Sequence, residues 1–253
     1  MLIPFQLCQI CAVWTAGGGR RLAIAVAVTL GFALLAWLIR GVSATGAVAG
    51  ALVSFVLYLS LGAGAFIALV SVFVLASVTT RLGYAQKERD GTAEKKGGRT
   101  GSQVLANLGI AAAAALMCAI TGNAIFIVAM AAALGEAAAD TVSSEFGQAR
   151  SQKALLITTW KEVPAGTDGG ISAAGTVAGV VAAAMISGVC VAVGLLNGHS
   201  FGISTIAAIF GMLVDSFLGA SLERRGVLRN DAVNFLSTVA AAILAVLFST
   251  VFG

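Results

Sequence analysis

Long apolar stretches follow one another along almost the whole chain, and short polar segments separate them. Each stretch has about 20 residues, the length an α-helix needs to cross the hydrocarbon core of a bilayer. Because the stretches are continuously apolar rather than alternating in short strands, they argue against a membrane β-barrel. The pattern predicts eight helical spans, at 22–39, 43–60, 63–80, 104–121, 124–142, 172–196, 201–219 and 232–252.

Composition supports the same class of protein. Apolar residues make up 59% of the 253 positions, charged residues only 10%, and the mean hydropathy is +0.99. A soluble domain carries about 25% charged residues, so this chain lacks a surface suited to water. We expect an all-α, polytopic transmembrane helix bundle over 22–253 in contact with the lipid bilayer. Residues 1–21 form a separate N-terminal segment, with 1–16 apolar enough for an interfacial helix or a short ninth span.

The Lys and Arg residues predict an orientation. Eight spans place the loops 81–103, 143–171 and 220–231 on one side, and with Arg40 they hold thirteen of the fifteen basic residues. Basic loops stay cytoplasmic, so we expect these loops and the active site at the cytoplasmic face of a bacterial membrane or its equivalent. The net charge of +4 is then a topology signal near anionic lipid, and no nucleic-acid partner is expected. An oligomer is compatible with the sequence.

Three carboxylates lie inside predicted spans, where an ionised group costs a few kcal/mol even on the lenient insertion scale. Glu136 and Asp140 are one helical turn apart near the inner end of the fifth span, so they share a face. Asp215 lies near the inner end of the seventh span. Carboxylates without nearby His or Cys suit a hard cation such as Mg²⁺ or Mn²⁺.

A glycine-rich segment, 163–172, opens directly into the sixth predicted span. Glycines before a helix start expose several backbone N–H groups, where the helix dipole also favours an anion. The segment therefore predicts phosphate binding without a P-loop motif. Basic residues of the loop 87–103, namely Lys95, Lys96 and Arg99, are candidates to close over a polyphosphate. Asn107 and Asn234 lie about one turn inside their helices and point to the same pocket.

At these residues the chain resembles a family of TMEM-nineteen-like integral membrane proteins, an uncharacterised-domain family that includes phytyl phosphate kinase. The resemblance covers roughly residues 40–253. Asp168 and Glu223 differ from the Asn and Gln that the family pattern leads us to expect. The resemblance rests on five segments, which are 96–99 with 103–107, 139–141 with 144–145, 163–170, 215–220, and Asn230 with 233–234.

The resemblance implies a CTP-dependent, Mg²⁺-dependent kinase that converts an isoprenoid monophosphate, such as phytyl phosphate, to the diphosphate. It implies metal binding by Asp140, Glu145 and Asp215, with Glu136 as support. The implied phosphate ligands are Lys96, Arg99, Lys161, Gly166, Thr167, Gly169 and Gly170. Two alternatives stay open at this point: a lipid-phosphate cytidylyltransferase with the same metal and nucleotide parts, and an ion-coupled transporter with inward carboxylates.

Overall fold

A computed structural model describes residues 18–89, 91–93 and 97–252. Within these residues, eight helices are long and apolar enough to cross a membrane, and a short helix, α4, lies between the third and fourth of them. The helices are α1 (Gly18–Leu38), α2 (Ala44–Leu61), α3 (Ala63–Arg81), α4 (Tyr84–Arg89), α5 (Gly101–Thr121), α6 (Ile125–Arg150), α7 (Ala173–Ala192), α8 (Gly198–Leu218) and α9 (Asn230–Phe252).

The eight predicted spans are confirmed, and most of their ends agree within a few residues. Helix α6 differs most, because it continues through 143–150, which we expected to be a loop. Its last turns pack directly on the start of α7: a Cβ at Gly175 would lie 2.5 Å from the Ser143 carbonyl oxygen. A Cβ at Gly147 would lie 2.8 Å from Ser172 Oγ. This close packing stabilises the polar end of α6 as helix.

The N-terminal segment 1–21 is described only from residue 18. Residues 18–21 belong to α1, which begins at Gly18. The predicted interfacial helix or ninth span within 1–16 lies outside the described residues.

Helix α6 is the central helix of the bundle. It contacts α3, α5, α7, α8 and α9, and 83% of its apolar stretch is buried in the protein, against 22–50% for the other seven spans. Its alanine-rich faces, including 131–133 and 137–139, are almost completely buried and allow neighbouring helices to approach closely. Polar side chains on α6 therefore point into protein rather than lipid.

The segment between α6 and α7 forms a small antiparallel sheet that the sequence pattern did not predict. Its strands are β1 (Lys153–Leu156), β2 (Glu162–Pro164) and β3 (Gly170–Ile171), in the order β2-β1-β3. Ala154 pairs with Val163, and Leu156 pairs with Gly170. The glycine loop, 165–169, is the connection between β2 and β3.

The three polar segments between spans meet at one end of the bundle. Gly83 lies against Ala149, Gly166 against Thr92, and Gly169 against Ala220. Ala220 belongs to a π-helical turn, Gly219–Glu223, that continues α8. These contacts bring the loop after α3, the sheet and the loop after α8 together, as alternating spans predict.

Candidate functional site

Two polar cavities lie at this end of the bundle. The glycine-loop cavity has a volume of about 270 Å³ and is walled by α6, the sheet, the glycine loop and the π-helical turn. The Arg99 cavity, of about 120 Å³, lies among the polar ends of α5, α6 and α9. Asp140, Ser144 and Asn230 line both cavities. Asp140 therefore stands between two polar compartments, and a group bound in either one can reach it.

Asp215 completes a pair of carboxylates with Asp140. Both line the glycine-loop cavity and lie close enough to interact electrostatically. Helix α9 orients Asp215, because Ser237 Oγ donates to Asp215 Oδ2 at 3.2 Å. The structure thus brings together the two acidic residues that the sequence placed on separate helices.

Glu136 lies one turn deeper than Asp140 and lines neither polar cavity. It is 1% exposed and packs between α8 and α9, where a Cβ at Gly211 would lie 2.6 Å from Glu136 Cγ. Within the described residues neither carboxyl oxygen has a hydrogen-bond partner. Glu136 is near enough to Asp140 for the two carboxyl groups to interact electrostatically. The supporting role of Glu136 stays a prediction.

Glu145 has partners of its own, which bears on its predicted role as a metal ligand. Thr80 Oγ1 donates to Glu145 Oε1 at 3.0 Å, and Lys87 Nζ forms a short ion pair with Glu145 Oε2. Lys87 is 1% exposed and also donates to the carbonyl oxygens of Thr79 and Thr80. In this arrangement Glu145 anchors α4 to the ends of α3 and α6, and metal binding by Glu145 stays a prediction.

The oxygen-rich lining of the glycine-loop cavity fits a hard cation. Over the described residues no group of three or more His, Cys, Asp or Glu side chains is arranged to hold a metal ion. Mg²⁺, however, is usually held by one or two carboxylates together with water and substrate phosphates. Asp140 and Asp215 supply such a pair, and Ser144, Ser216 and Asn230 add neutral oxygen groups to the same lining. These residues suit a cation that arrives with a phosphate ligand.

The glycine loop is held in place by its own contacts. Gly169 has φ +73°, and a Cβ there would lie 2.3 Å from the Ala220 amide nitrogen. Its neighbours use their amides within the loop: Thr167 N donates to Pro164 O at 3.2 Å, and Gly170 N donates to Thr167 O at 2.8 Å. The amides of Thr167 and Gly170, predicted to bind phosphate, therefore already have acceptors.

Other amides of the loop are better placed for an anion. In the described part of the chain, the N–H groups of Gly166, Asp168 and Gly169 donate to no backbone carbonyl. All three residues line the glycine-loop cavity. Gly166 has a φ of +81° and Gly169 a φ of +73°. Glycine adopts such positive values without the strain that a side chain would cause. Of the four residues predicted here to bind phosphate, Gly166 and Gly169 therefore retain candidate amides, whereas Thr167 and Gly170 do not.

The predicted basic residues divide between different places. Arg99 lines the Arg99 cavity and donates to Thr141 Oγ1 at 3.3 Å. Lys161 is exposed at the turn between β1 and β2 and lines neither polar cavity. Lys153, which we did not single out as a ligand, lines the glycine-loop cavity; its hydrogen bond to Glu162, 2.7 Å long, raises the pKa of Lys153. Lys95 and Lys96 lie outside the described residues.

The remaining side chains extend the sequence prediction. Asn107 and Asn234 line the Arg99 cavity, in agreement with their predicted positions near the polar ends of their spans. Asp168 and Glu223, noted only as departures from the family pattern, line the glycine-loop cavity. Gln148 also lines it and was missed, because the sequence pattern placed it in a loop rather than on α6.

Comparisons with known proteins agree with this architecture. The profile of a family described as "Integral membrane protein DUF92" matches residues 27–242. The chain is 31% identical over 222 residues to "Protein VTE6, chloroplastic" of Arabidopsis thaliana, covering 83% of this chain and 66% of that protein. An uncharacterized membrane protein of Methanocaldococcus jannaschii is 32% identical over 233 residues, with 90% and 94% covered. One from Synechocystis is 30% identical over 199 residues, with 76% of each chain covered. No solved structure matches the chain.

Proposed function

Because the chain belongs to the DUF92 family of integral membrane proteins, we propose that it is a membrane-bound kinase for an isoprenoid monophosphate such as phytyl phosphate. It transfers the γ-phosphoryl group of CTP to the acceptor phosphate, which yields the isoprenoid diphosphate and CDP. Membership of the family confirms the resemblance seen in the sequence. The observation that carries the proposal is the position of Asp140 between two polar cavities, since a phosphoryl transfer must bring a donor and an acceptor to one point.

The glycine-loop cavity is the proposed donor site. It is the larger of the two polar cavities and combines Lys153 with the amides of Gly166, Asp168 and Gly169. Backbone N–H groups in a tight turn and a nearby cation are typical ligands for the phosphates of a nucleotide. The loop meets the π-helical turn and α6, so its amides are preorganised by packing rather than ordered on binding.

Asp140 and Asp215 are the proposed holders of Mg²⁺ in this site, and the fit of their oxygen-rich surroundings supports the assignment. When bound, the ion neutralises charge on the phosphoryl group being transferred. Ser237 fixes one oxygen of the Asp215 carboxylate by a hydrogen bond from α9, and Glu136 lies one turn deeper than Asp140 as support. Glu145 lines the Arg99 cavity with Asp140 and also holds Lys87 and α4 in place.

The Arg99 cavity is the proposed site of the acceptor phosphate. Arg99 offsets the charge of an incoming anion, and Asn107 and Asn234 can donate hydrogen bonds to its oxygens. An acceptor phosphate monoester is already ionised at neutral pH, so its oxygen attacks the γ-phosphorus without a strong general base. Positioning and charge neutralisation are then sufficient, as in other phosphoryl transfers.

Product analysis tests the proposal directly. Purified protein in detergent is incubated with CTP, Mg²⁺ and an isoprenyl monophosphate, and the products are separated by mass spectrometry. A kinase forms the isoprenyl diphosphate and CDP in equal amounts. Pyrophosphate with a cytidylyl-lipid product would instead identify a cytidylyltransferase, and this result would contradict the kinase proposal.

Nucleotide binding is measured separately by thermal unfolding in detergent. CTP with Mg²⁺ should raise the Tm, because a ligand that binds only the folded state stabilises it by mass action. ATP, GTP and UTP serve as the comparison set. If no nucleotide changes the Tm and no product forms, the enzyme proposal fails. The buried carboxylates would then be explained by the alternative function, an ion-coupled transporter.

A further inference from the structure

A third cavity, which we call the apolar cavity, lies beside the polar ones and has no role in the proposed donor site. Its volume is about 350 Å³, within the usual range for small-molecule sites. Its walls come from α1, α2, α3 and α5, and most of the lining is apolar. Phe32, Leu69, Val72, Phe73 and Leu108 line its interior, and Gly50 on α2 leaves room between them.

One end of the apolar cavity is charged and joins the site already described. Arg99, Gln103 and Asn107 line both the apolar cavity and the Arg99 cavity. Arg40 also lines the apolar cavity, from the turn after α1. Arg81, at the end of α3, lines it as well. The result is a continuous path that begins among apolar side chains, passes three guanidinium groups and ends beside Asp140.

This sequence of surfaces matches an amphiphile with one apolar chain and one anionic head. A nucleotide does not fit the apolar part, because its base and ribose would lose hydrogen bonds to water without recovering them there. An isoprenyl chain has no hydrogen bonds to lose, and it can move from the bilayer to apolar side chains without a change in polarity. A phosphate at the charged end would meet Arg99, whose planar guanidinium suits phosphate oxygens.

We propose that the apolar cavity binds the isoprenyl chain of the acceptor, with the acceptor phosphate at Arg99. The proposal rests on the proposed kinase function and deepens it, because it gives the apolar chain of the acceptor a binding site between α1, α2, α3 and α5. The length and bulk of the chain are then selected by the space between α2, α3 and α5. A phospholipid tail shares the same chemistry, and the experiment below separates the two.

Gly50 provides a way to change the cavity without disturbing the fold. A Cβ at Gly50 meets nothing within 4 Å, so a larger side chain enters the cavity rather than a neighbouring helix. Gly46 is unsuitable, since a Cβ there would lie 2.2 Å from the Arg99 carbonyl oxygen. Gly31 is a matched control: it is also a helical glycine with nothing within 4 Å, but it is exposed on α1 and does not line the cavity.

The first arm measures substrate preference. The wild-type protein, Gly50→Phe and Gly31→Phe are assayed with geranyl, farnesyl and geranylgeranyl monophosphate. Gly50→Phe should lower kcat/KM for the longest chain relative to the shortest by at least about tenfold, the scale on which a filled apolar pocket discriminates. Gly31→Phe should keep the wild-type ratio. Arg99→Ala should raise KM for the acceptor and leave KM for CTP within about twofold, since its side chain lies on the acceptor path.

The second arm needs no turnover, so it separates failure of the site from failure of the kinase. An isoprenyl monophosphate carrying a photoreactive group on its chain is crosslinked without nucleotide, and the modified peptides are mapped. Crosslinks on α2, α3 and α5 that Gly50→Phe reduces support the site, even if no product forms with CTP. The site would be overturned by crosslinks on other helices, or by a Gly50→Phe variant that keeps the wild-type chain-length ratio. It would also be overturned if phosphatidic acid competed with the crosslinker as well as an isoprenyl monophosphate does, because the occupant would then be a bilayer lipid.

Discussion

At the scale of single residues, the charges inside this bundle divide into two kinds. Asp140 and Asp215 line a cavity and have room for a ligand. Lys87 is buried against Glu145, which lines the Arg99 cavity but already has Lys87 and Thr80 as partners. Substitution of a charge that binds a ligand should reduce activity, whereas substitution of a charge in a buried ion pair should reduce stability.

Asp140→Asn and Asp215→Asn should each reduce turnover by at least about 100-fold, the scale of losing a main electrostatic group in an active site. The amide keeps the shape of the side chain but loses the charge that would bind a divalent cation. Activity is measured at saturating CTP over a range of Mg²⁺ concentrations, and folding is followed by gel filtration in detergent. Asp231→Asn, in the first turn of α9 and outside both polar cavities, is the control. Near-normal turnover of either variant at limiting Mg²⁺ would make that residue structural.

Lys87→Met should destabilise the protein by about 3–5 kcal/mol, the usual effect of leaving one partner of a buried ion pair uncompensated. The double variant Lys87→Met with Glu145→Met should recover much of the loss, since it removes both charges. The measurement is the Tm of each variant in the same detergent. A double variant that melts as low as Lys87→Met would argue against the pair and return Glu145 to its predicted role as a metal ligand.

At the scale of elements, the sequence predicted the helices well and the connections poorly, for a physical reason. A span needs about 20 mainly apolar residues to cross the bilayer. Such a long apolar pattern can be recognised even where the predicted ends of the helix are wrong by a few residues. The strands β1, β2 and β3 have only two to four residues, too few to show an alternating pattern. Lys87 was missed similarly: it lies in the charged run Lys87-Glu88-Arg89, and only tertiary packing shows that one of the three is buried.

The candidate site follows the same rule. Asp140, Asp215, Asn107 and Asn234 could be singled out because polar groups stand out against apolar helices. Arg99 was singled out differently, as a basic residue of the charged loop before α5. The hydrogen bonds that already occupy Thr167 and Gly170 were not identifiable, since they depend on how the glycine loop closes. The cavities were not predictable either, because they exist only between elements that are distant in sequence.

Gly169→Ala should lower the Tm and remove the stabilising effect of CTP. The new methyl group would lie 2.4 Å from Ala220 Cβ, so the glycine loop must separate from the π-helical turn and its amides lose their positions. Gly91→Ala is a matched control, because Gly91 also has φ +73° but meets nothing within 4 Å. Both variants therefore carry the backbone strain of a left-handed alanine, about 1–2 kcal/mol, and only Gly169→Ala carries the steric clash. Equal Tm values for the two variants would show that the loop does not depend on its contact with Ala220.

At the scale of the whole molecule, chemistry and topology are joined at one end of the bundle. The central helix α6 carries Asp140 to that end, and the three polar segments meet around it. The apolar cavity extends from there between α1, α2, α3 and α5. A lipid acceptor could thus keep its chain within the bundle while its head meets a water-soluble donor.

This arrangement predicts that all three polar segments face the cytoplasm, where nucleotides are available. The basic residues that flank them support the same orientation, since basic loops resist translocation. Single cysteines are introduced at exposed positions in a cysteine-free background: Ser102 before the body of α5, Gln152 before β1 and Val227 after the π-helical turn. Asn123, in the turn after α5, and His199, in the first turn of α8, are exposed at the opposite end and serve as matched controls. In intact cells, a membrane-impermeant maleimide should label the two controls and spare the three test positions, and lysis should make all five reactive. Labelling of even one test position from outside would place that segment on the other side of the membrane and contradict a site at which all three segments meet.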